Sequence, residues 1–217
     1  MLIYQTKIII MDNLMDLFEQ QISGDMLQQI GSQFGINDPK KTEVATKSAF
    51  SVLMGALTKN ATQGNGASIL SSVLDKDHDG SILDDIAGYF TGNTKVSNPK
   101  TVDGAGILSH LLGNNSDSIF DQLANVAGID KNSSASLLEK LAPIAMGMLG
   151  KAKKEQNLDE KGLQNILKKT VEPVKNDSMI GGLLTNFLDQ DGDGSVVDDL
   201  GRMGFKAIFK GLFGRKR

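Results

Sequence analysis

An internal repeat that ends each time in the same acidic loop is the strongest constraint on this chain. Asp75-Lys76-Asp77-His78-Asp79-Gly80-Ser81-Ile82-Leu83-Asp84-Asp85 and Asp189-Gln190-Asp191-Gly192-Asp193-Gly194-Ser195-Val196-Val197-Asp198-Asp199 share the pattern D-x-D-x-D-G-S-x-x-D-D at an offset of 114. Upstream, Met26-Leu27-Gln28-Gln29-Ile30 followed by Phe34-Gly35-Ile36-Asn37 matches Ile119-Phe120-Asp121-Gln122-Leu123 followed by Ala127-Gly128-Ile129-Asp130, at an offset of 93. Ser51-Val52-Leu53-Met54-Gly55-Ala56-Leu57 matches Pro143-Ile144-Ala145-Met146-Gly147-Met148-Leu149, at an offset of 92. The second copy therefore holds 22 additional residues before its loop, within a Lys-, Glu- and Gln-rich stretch at about 153–177. A repeat of this length points to one packing unit used twice.

Apolar residues recur at helical spacing along most of the chain, and no sustained strand-like alternation is present. Leu14, Phe18 and Ile22 are four apart, and Met26, Ile30 and Phe34 resume the pattern after Ser23-Gly24. Asp38-Pro39 reads as an N-cap and first turn, opening a helix to about Lys59 with Ala45, Ala49, Val52, Leu53, Ala56 and Leu57 inside. Asp159 to Thr170 reads as an extra helix. Asn114-Asn115-Ser116 reads as a cap, and Pro143 as a kink or restart within its helix. The fold class is all-α, a duplicated multi-helix repeat with two DxDxDG loops between helices. Residues 1–10 read as an extension or misassigned start. Residues 11–92 form the first repeat, 93–103 a linker and 104–200 the second repeat. A basic amphipathic helix and tail fill 201–217.

Each loop offers a hard-oxygen ligand set. Asp75, Asp77 and Asp79, like Asp189, Asp191 and Asp193, stand at alternating positions suited to wrapping a cation, and Gly80 or Gly194 allows the sharp turn. Ser81 and Ser195 supply a backbone carbonyl. The closing acid is expected from Asp84 or Asp85 and from Asp198 or Asp199, the second acid of each pair serving as a helix cap. Ca²⁺ is favoured over Mg²⁺, because the ligand set is protein-rich and irregular. The alternative is an acidic turn with capping Asp residues and no ion. Five carboxylates within eleven residues repel one another unless neutralised. His78 is expected to face solvent in the turn, and His110, on an apolar helix, to serve in packing or at an interface.

The small-residue and aliphatic segments Asp25–Phe34, Gly35, Met54-Gly55, Gly106-Ile107-Leu108, Gly128 and Ala142-Pro143-Ile144 resemble a bacterial family known as domain of unknown function 937, related to YidB-like proteins. The resemblance covers residues 11 to about 149. It implies a small helical repeat protein and supplies no catalytic residues. The acidic loops look like EF-hand or dockerin calcium loops over about a dozen residues each. They depart from an EF-hand at position twelve, where Ile86 and Leu200 replace the bidentate Glu. Asp is shorter than Glu, so the affinity expected is weak to moderate, on the order of 10⁻⁶ to 10⁻³ M.

Enzymatic readings find little support. The chain has no Cys and only two His, and it lacks a nucleophile elbow or a phosphate loop after a strand. The expectation is a non-enzymatic calcium-binding protein whose ions clasp helix pairs. The competing expectation uses the last helix. There Leu200, Met203, Ala207, Ile208 and Leu212 form an apolar stripe, widened by Phe205, Phe209 and Phe213, beside basic Arg202, Lys206 and Lys210. Such a face suits a protein partner or an anionic membrane surface. Specific nucleic-acid binding is not expected. The apolar start lacks a basic flank and a cleavage site, and no run is long enough to span a bilayer, so a cytoplasmic location is expected.

Overall fold

A computed structural model describes residues 13–176 and 180–188, and these are helical with no strand among them. The α-helices are α1 (Leu14–Gln21), α2 (Asp25–Gln33), α3 (Pro39–Thr62), α4 (Gly66–Asp77), α5 (Ile86–Thr91), α6 (Gly104–Leu112), α7 (Ser116–Ala127), α8 (Lys131–Gln156), α9 (Glu160–Val171) and α10 (Ile180–Leu188). Short 3₁₀ turns cover Ser81–Asp85, Pro99–Val102, Gly113–Asn115 and Pro173–Asn176. No described helix is long and apolar enough to cross a membrane.

The two long helices form the centre. Ser48 to Thr58 of α3 and Leu141 to Gly150 of α8 are buried without a break. A helix covered on all sides has no polar face, and these two segments are correspondingly rich in Ala, Gly, Ser, Thr and Met. The small side chains let α3 pack against α7, α8, α9 and α10 together. Ala45, Ala49, Val52, Leu53, Ala56 and Leu57 are all fully buried, as their spacing predicts. At one end Phe18 of α1 stacks on Phe50 of α3, with ring centroids 4.0 Å apart.

Local chemistry explains the boundaries. The Asp38 carboxylate accepts from the Lys40 and Lys41 amides, and Pro39 fits the first turn of α3. Asp130 caps α8 through the Ser133 amide, and Asp159 caps α9 through the Gly162 amide. Ahead of α3 and α8 stand Gly35 and Gly128, both at positive φ (69° and 64°). The α3 helix runs three residues past the expected Lys59. Asn115 makes no side-chain cap; instead the Ser116 hydroxyl donates to the Gly113 carbonyl within a 3₁₀ turn. Pro143 does not restart the helix, since α8 runs through it as one helix. Pro143 lies inside the fully buried stretch, where packing on every side outweighs one missing backbone hydrogen bond.

Candidate metal-binding loop

The first acidic loop joins α4 to α5. Helix α4 continues into the motif, so Asp75, Lys76 and Asp77 are helical and His78 is the C-cap, its amide donating to the Leu74 carbonyl. Gly80 then takes φ 96°, a conformation that suits glycine, and turns the chain back. Ser81–Asp85 forms a 3₁₀ turn that leads into α5. Ile82 and Leu83 in this turn are buried, as is Ile86 at the start of α5. The loop lies directly on α8. A β-carbon at Gly150 would stand 1.7 Å from the His78 carbonyl oxygen, and one at Gly147 would stand 2.5 Å from Ile82 Cγ2. The absence of side chains at those two positions is what seats the loop. Ile82 is thereby used as a core residue in a 3₁₀ turn.

Each predicted ligand of this loop has a definite place. Asp75 is ion-paired with Lys153 of α8. Asp77 Oδ1 accepts from Asn98 Nδ2 at 2.8 Å, and the Asp77 carbonyl accepts from Thr101 Oγ1 at 2.8 Å. Asp79 Oδ1 accepts from the Ser81 amide at 3.0 Å. The Ser81 amide and hydroxyl hold the Asp79 carboxyl below its ordinary range. Asp85 Oδ1 caps α5 at the Gly88 amide (2.9 Å), while Oδ2 accepts from Thr94 Oγ1 at 3.1 Å. Asp84 is exposed beside it. All five carboxylates and Ser81 line one cavity of about 710 Å³, and residues 93–98 with Thr101 form the opposite wall. The segment expected to be a linker is thus one side of this cavity. Spacing in the motif does not reveal that wall, since Asn98 and Thr101 lie about twenty residues away in sequence.

The carboxylates share a cavity without converging on one point. Residues two apart on a helix point about 200° apart, and Asp75 turns to α8 while Asp77 turns to the 93–101 segment. Among the described residues no group of three or more His, Asp or Glu is disposed to hold a metal ion. The donors are all hard oxygens and suit Ca²⁺ in kind. Gathering them requires Asp75 to leave Lys153 and the last turn of α4 to open.

His78 departs from the expected solvent-facing position. It is only 3% exposed, and its Nδ1 is buried with no hydrogen-bond partner. Burial lowers its pKa, outweighing the attraction of Asp77 and Asp79. His78 lines a cavity together with Ile107, Leu111 and the chain's other histidine, His110, of α6; His110, expected in packing or at an interface, is exposed. No short-range signal marks the burial of His78. Asp189, Asp191, Asp193, Ser195, Asp198 and Asp199 of the second loop lie outside the described residues, as do 1–12 and the stripe at 200–217.

No curated protein and no solved structure matches the chain. A family model described as a bacterial protein of unknown function (DUF937) matches residues 16–152, a span that includes the first acidic loop and ends before the second. That span is well over half of the sequence, and the chain therefore belongs to the DUF937 family.

Proposed function

We propose that this is a non-enzymatic helical protein that binds Ca²⁺ at its acidic loops, the ions clasping helix pairs of a duplicated unit. The observation that carries the reading is the shared cavity. Five carboxylates and Ser81 face one space, and a cation, the Lys153 ammonium, already sits on one of them. Ca²⁺ would take over that neutralising role for the whole loop. Asp85 serves as the cap of α5, which leaves Asp84 as the acid that closes the site. Opening the last turn of α4 and releasing Lys153 both oppose binding, which keeps the expected affinity in the range of roughly 10⁻⁶ to 10⁻³ M.

The duplication is supported by elements at matching offsets. Gly35 and Gly128 precede capped long helices, α3 and α8, that begin 92 residues apart, at Pro39 and Lys131. That offset is the one that separates the matching segments 51–57 and 143–149. Calcium titration by calorimetry on the full chain tests the reading. Binding should be saturable, and an Asp75→Ala, Asp189→Ala double variant should lose it. A ligand at 100 times its Kd adds about 2.7 kcal/mol per site. Identical melting in millimolar Ca²⁺ and in EDTA would defeat the proposal.

A further inference from the structure

Another cavity, of about 570 Å³, opens where α5, α8 and the start of α6 meet. Tyr89 of α5, Glu139 and Lys140 of α8, and Gly104 and Ala105 at the head of α6 all line it. The junction is tight. A β-carbon at Gly104 would stand 1.9 Å from the Glu139 carbonyl oxygen, so the first turn of α6 rests directly on the α8 backbone. Phe34, Val96 and Val102 supply the apolar part of the wall.

Several donors in this wall are unused. Lys140 Nζ donates to the Tyr89 carbonyl at 3.0 Å and lies 4.3 Å from the centre of the Tyr89 ring. An ammonium has three N–H groups, so two remain. Lys140 forms no ion pair within the described residues, and burial lowers its pKa with no carboxylate to offset the effect. Tyr89 is only 6% exposed, yet its phenol has no hydrogen-bond partner within the described residues. Unlike His78 Nδ1, the phenol oxygen is not sealed off. Burial, and then the Glu139 carboxylate, push the Tyr89 pKa up, so the phenol keeps its proton and donates. Buried polar groups normally find partners, and an unbonded phenol in a cavity wall calls for one from outside the chain. At the head of α6, Asp103 takes the Gly106 amide, which leaves the Gly104 and Ala105 amides without an acceptor. These amides carry the positive end of the helix dipole. An ammonium, a phenol and a helix N-terminus thus border one space, and each favours a carboxylate.

The opposite charge is present as well. Glu139 and Lys140 are neighbours in sequence but project about 100° apart around α8, and they do not pair. Glu139 is exposed in the same wall with no basic partner within the described residues. Asp103 lines the cavity too, with Oδ1 alone committed to the α6 cap. We propose that this cavity binds a free α-amino acid with an apolar side chain. Its carboxylate reaches Lys140, the Tyr89 phenol and the α6 amides. Its ammonium faces Glu139 and Asp103, and its side chain lies against Phe34, Val96 and Val102. A simple anion meets repulsion from the two acids, and a simple cation from Lys140.

The probe is L-phenylalanine, titrated by calorimetry into the full chain in EDTA, so that the result does not depend on the cation reading. Two analogues accompany it: 3-phenylpropanoate, which lacks the ammonium, and 2-phenylethylamine, which lacks the carboxylate. Saturable binding of L-phenylalanine is expected, with each analogue weaker by roughly tenfold or more. Tyr89→Phe should weaken L-phenylalanine by roughly tenfold and leave the melting temperature unchanged, because the hydroxyl bonds nothing in the protein. Lys140→Met should weaken it by at least as much. Glu139→Gln should weaken L-phenylalanine but not 3-phenylpropanoate, narrowing the gap between them. Melting curves establish that each variant is folded; should Lys140→Met fail to fold, the analogue comparison on the natural chain and the Tyr89→Phe variant decide. No saturable binding of L-phenylalanine, equal affinity for it and 3-phenylpropanoate, or an affinity unchanged in Tyr89→Phe overturns the proposal.

Discussion

At Gly150 the helix α8 has no room for a β-carbon, because the carbonyl of His78 occupies that space. In an ordinary helix interior, Gly→Ala is stabilising by roughly 0.5–1 kcal/mol, since it restricts the unfolded chain. Here the close approach reverses the sign. Gly150→Ala should destabilise by about 1–3 kcal/mol, because backbone must shift to admit the methyl group. Thermal unfolding followed by circular dichroism checks this, and an unchanged or raised melting temperature would mean that the loop does not rest on α8. This constraint was only half legible in the sequence. Met54-Gly55 and Met146-Gly147 stood out as a repeated pair, yet nothing local tells which residue a glycine makes room for. The burial of His78 has no local signal either: its sequence neighbours are Asp77 and Asp79, and the residues that line a cavity with it come from α3, α4, α6 and α8.

At the scale of the element, the end of α4 and the start of α5 decide what the acidic loop can do. Asp85 caps α5 and is tied to Thr94, whereas Asp84 is exposed on the cavity side. Asp85→Ala should therefore cost about 1 kcal/mol of stability even in EDTA, the ordinary loss for a cap. Asp84→Ala should leave melting in EDTA unchanged and weaken calcium binding. Paired melting and calorimetry on the two variants separate these roles, and a reversed pattern would exchange them. Helices whose signals are local were legible. The Asp38-Pro39 start of α3 and the extra helix that became α9 (Glu160–Val171) follow from caps and spacing. The features that escaped are set by packing. α4 extends through Asp77 because Asn98, Thr101 and Lys153 hold its last turn. α8 passes through Pro143 because its neighbours enclose it.

Across the whole molecule the acidic residues are unevenly spent. The two loops carry ten of the 26 and, in Lys76, one of the 23 basic residues, so 16 acidic against 22 basic residues leave +6 outside them. Two bound divalent ions would take the formal net charge from −3 to +1. Native electrophoresis near pH 7 should show the full chain reversing direction between EDTA and saturating Ca²⁺, and the Asp75→Ala, Asp189→Ala variant failing to do so. A mobility indifferent to Ca²⁺ would count against ion binding at the loops. The seat of the first loop also has a meaning in time. A chain that grows at about 5–20 residues per second completes Asp79-Gly80 roughly 4–14 seconds before Gly150, some 70 residues further along, has been made. For that interval the nascent loop has its charges but no surface to rest on, so any cation or chaperone that meets it during translation meets it before the completed protein can.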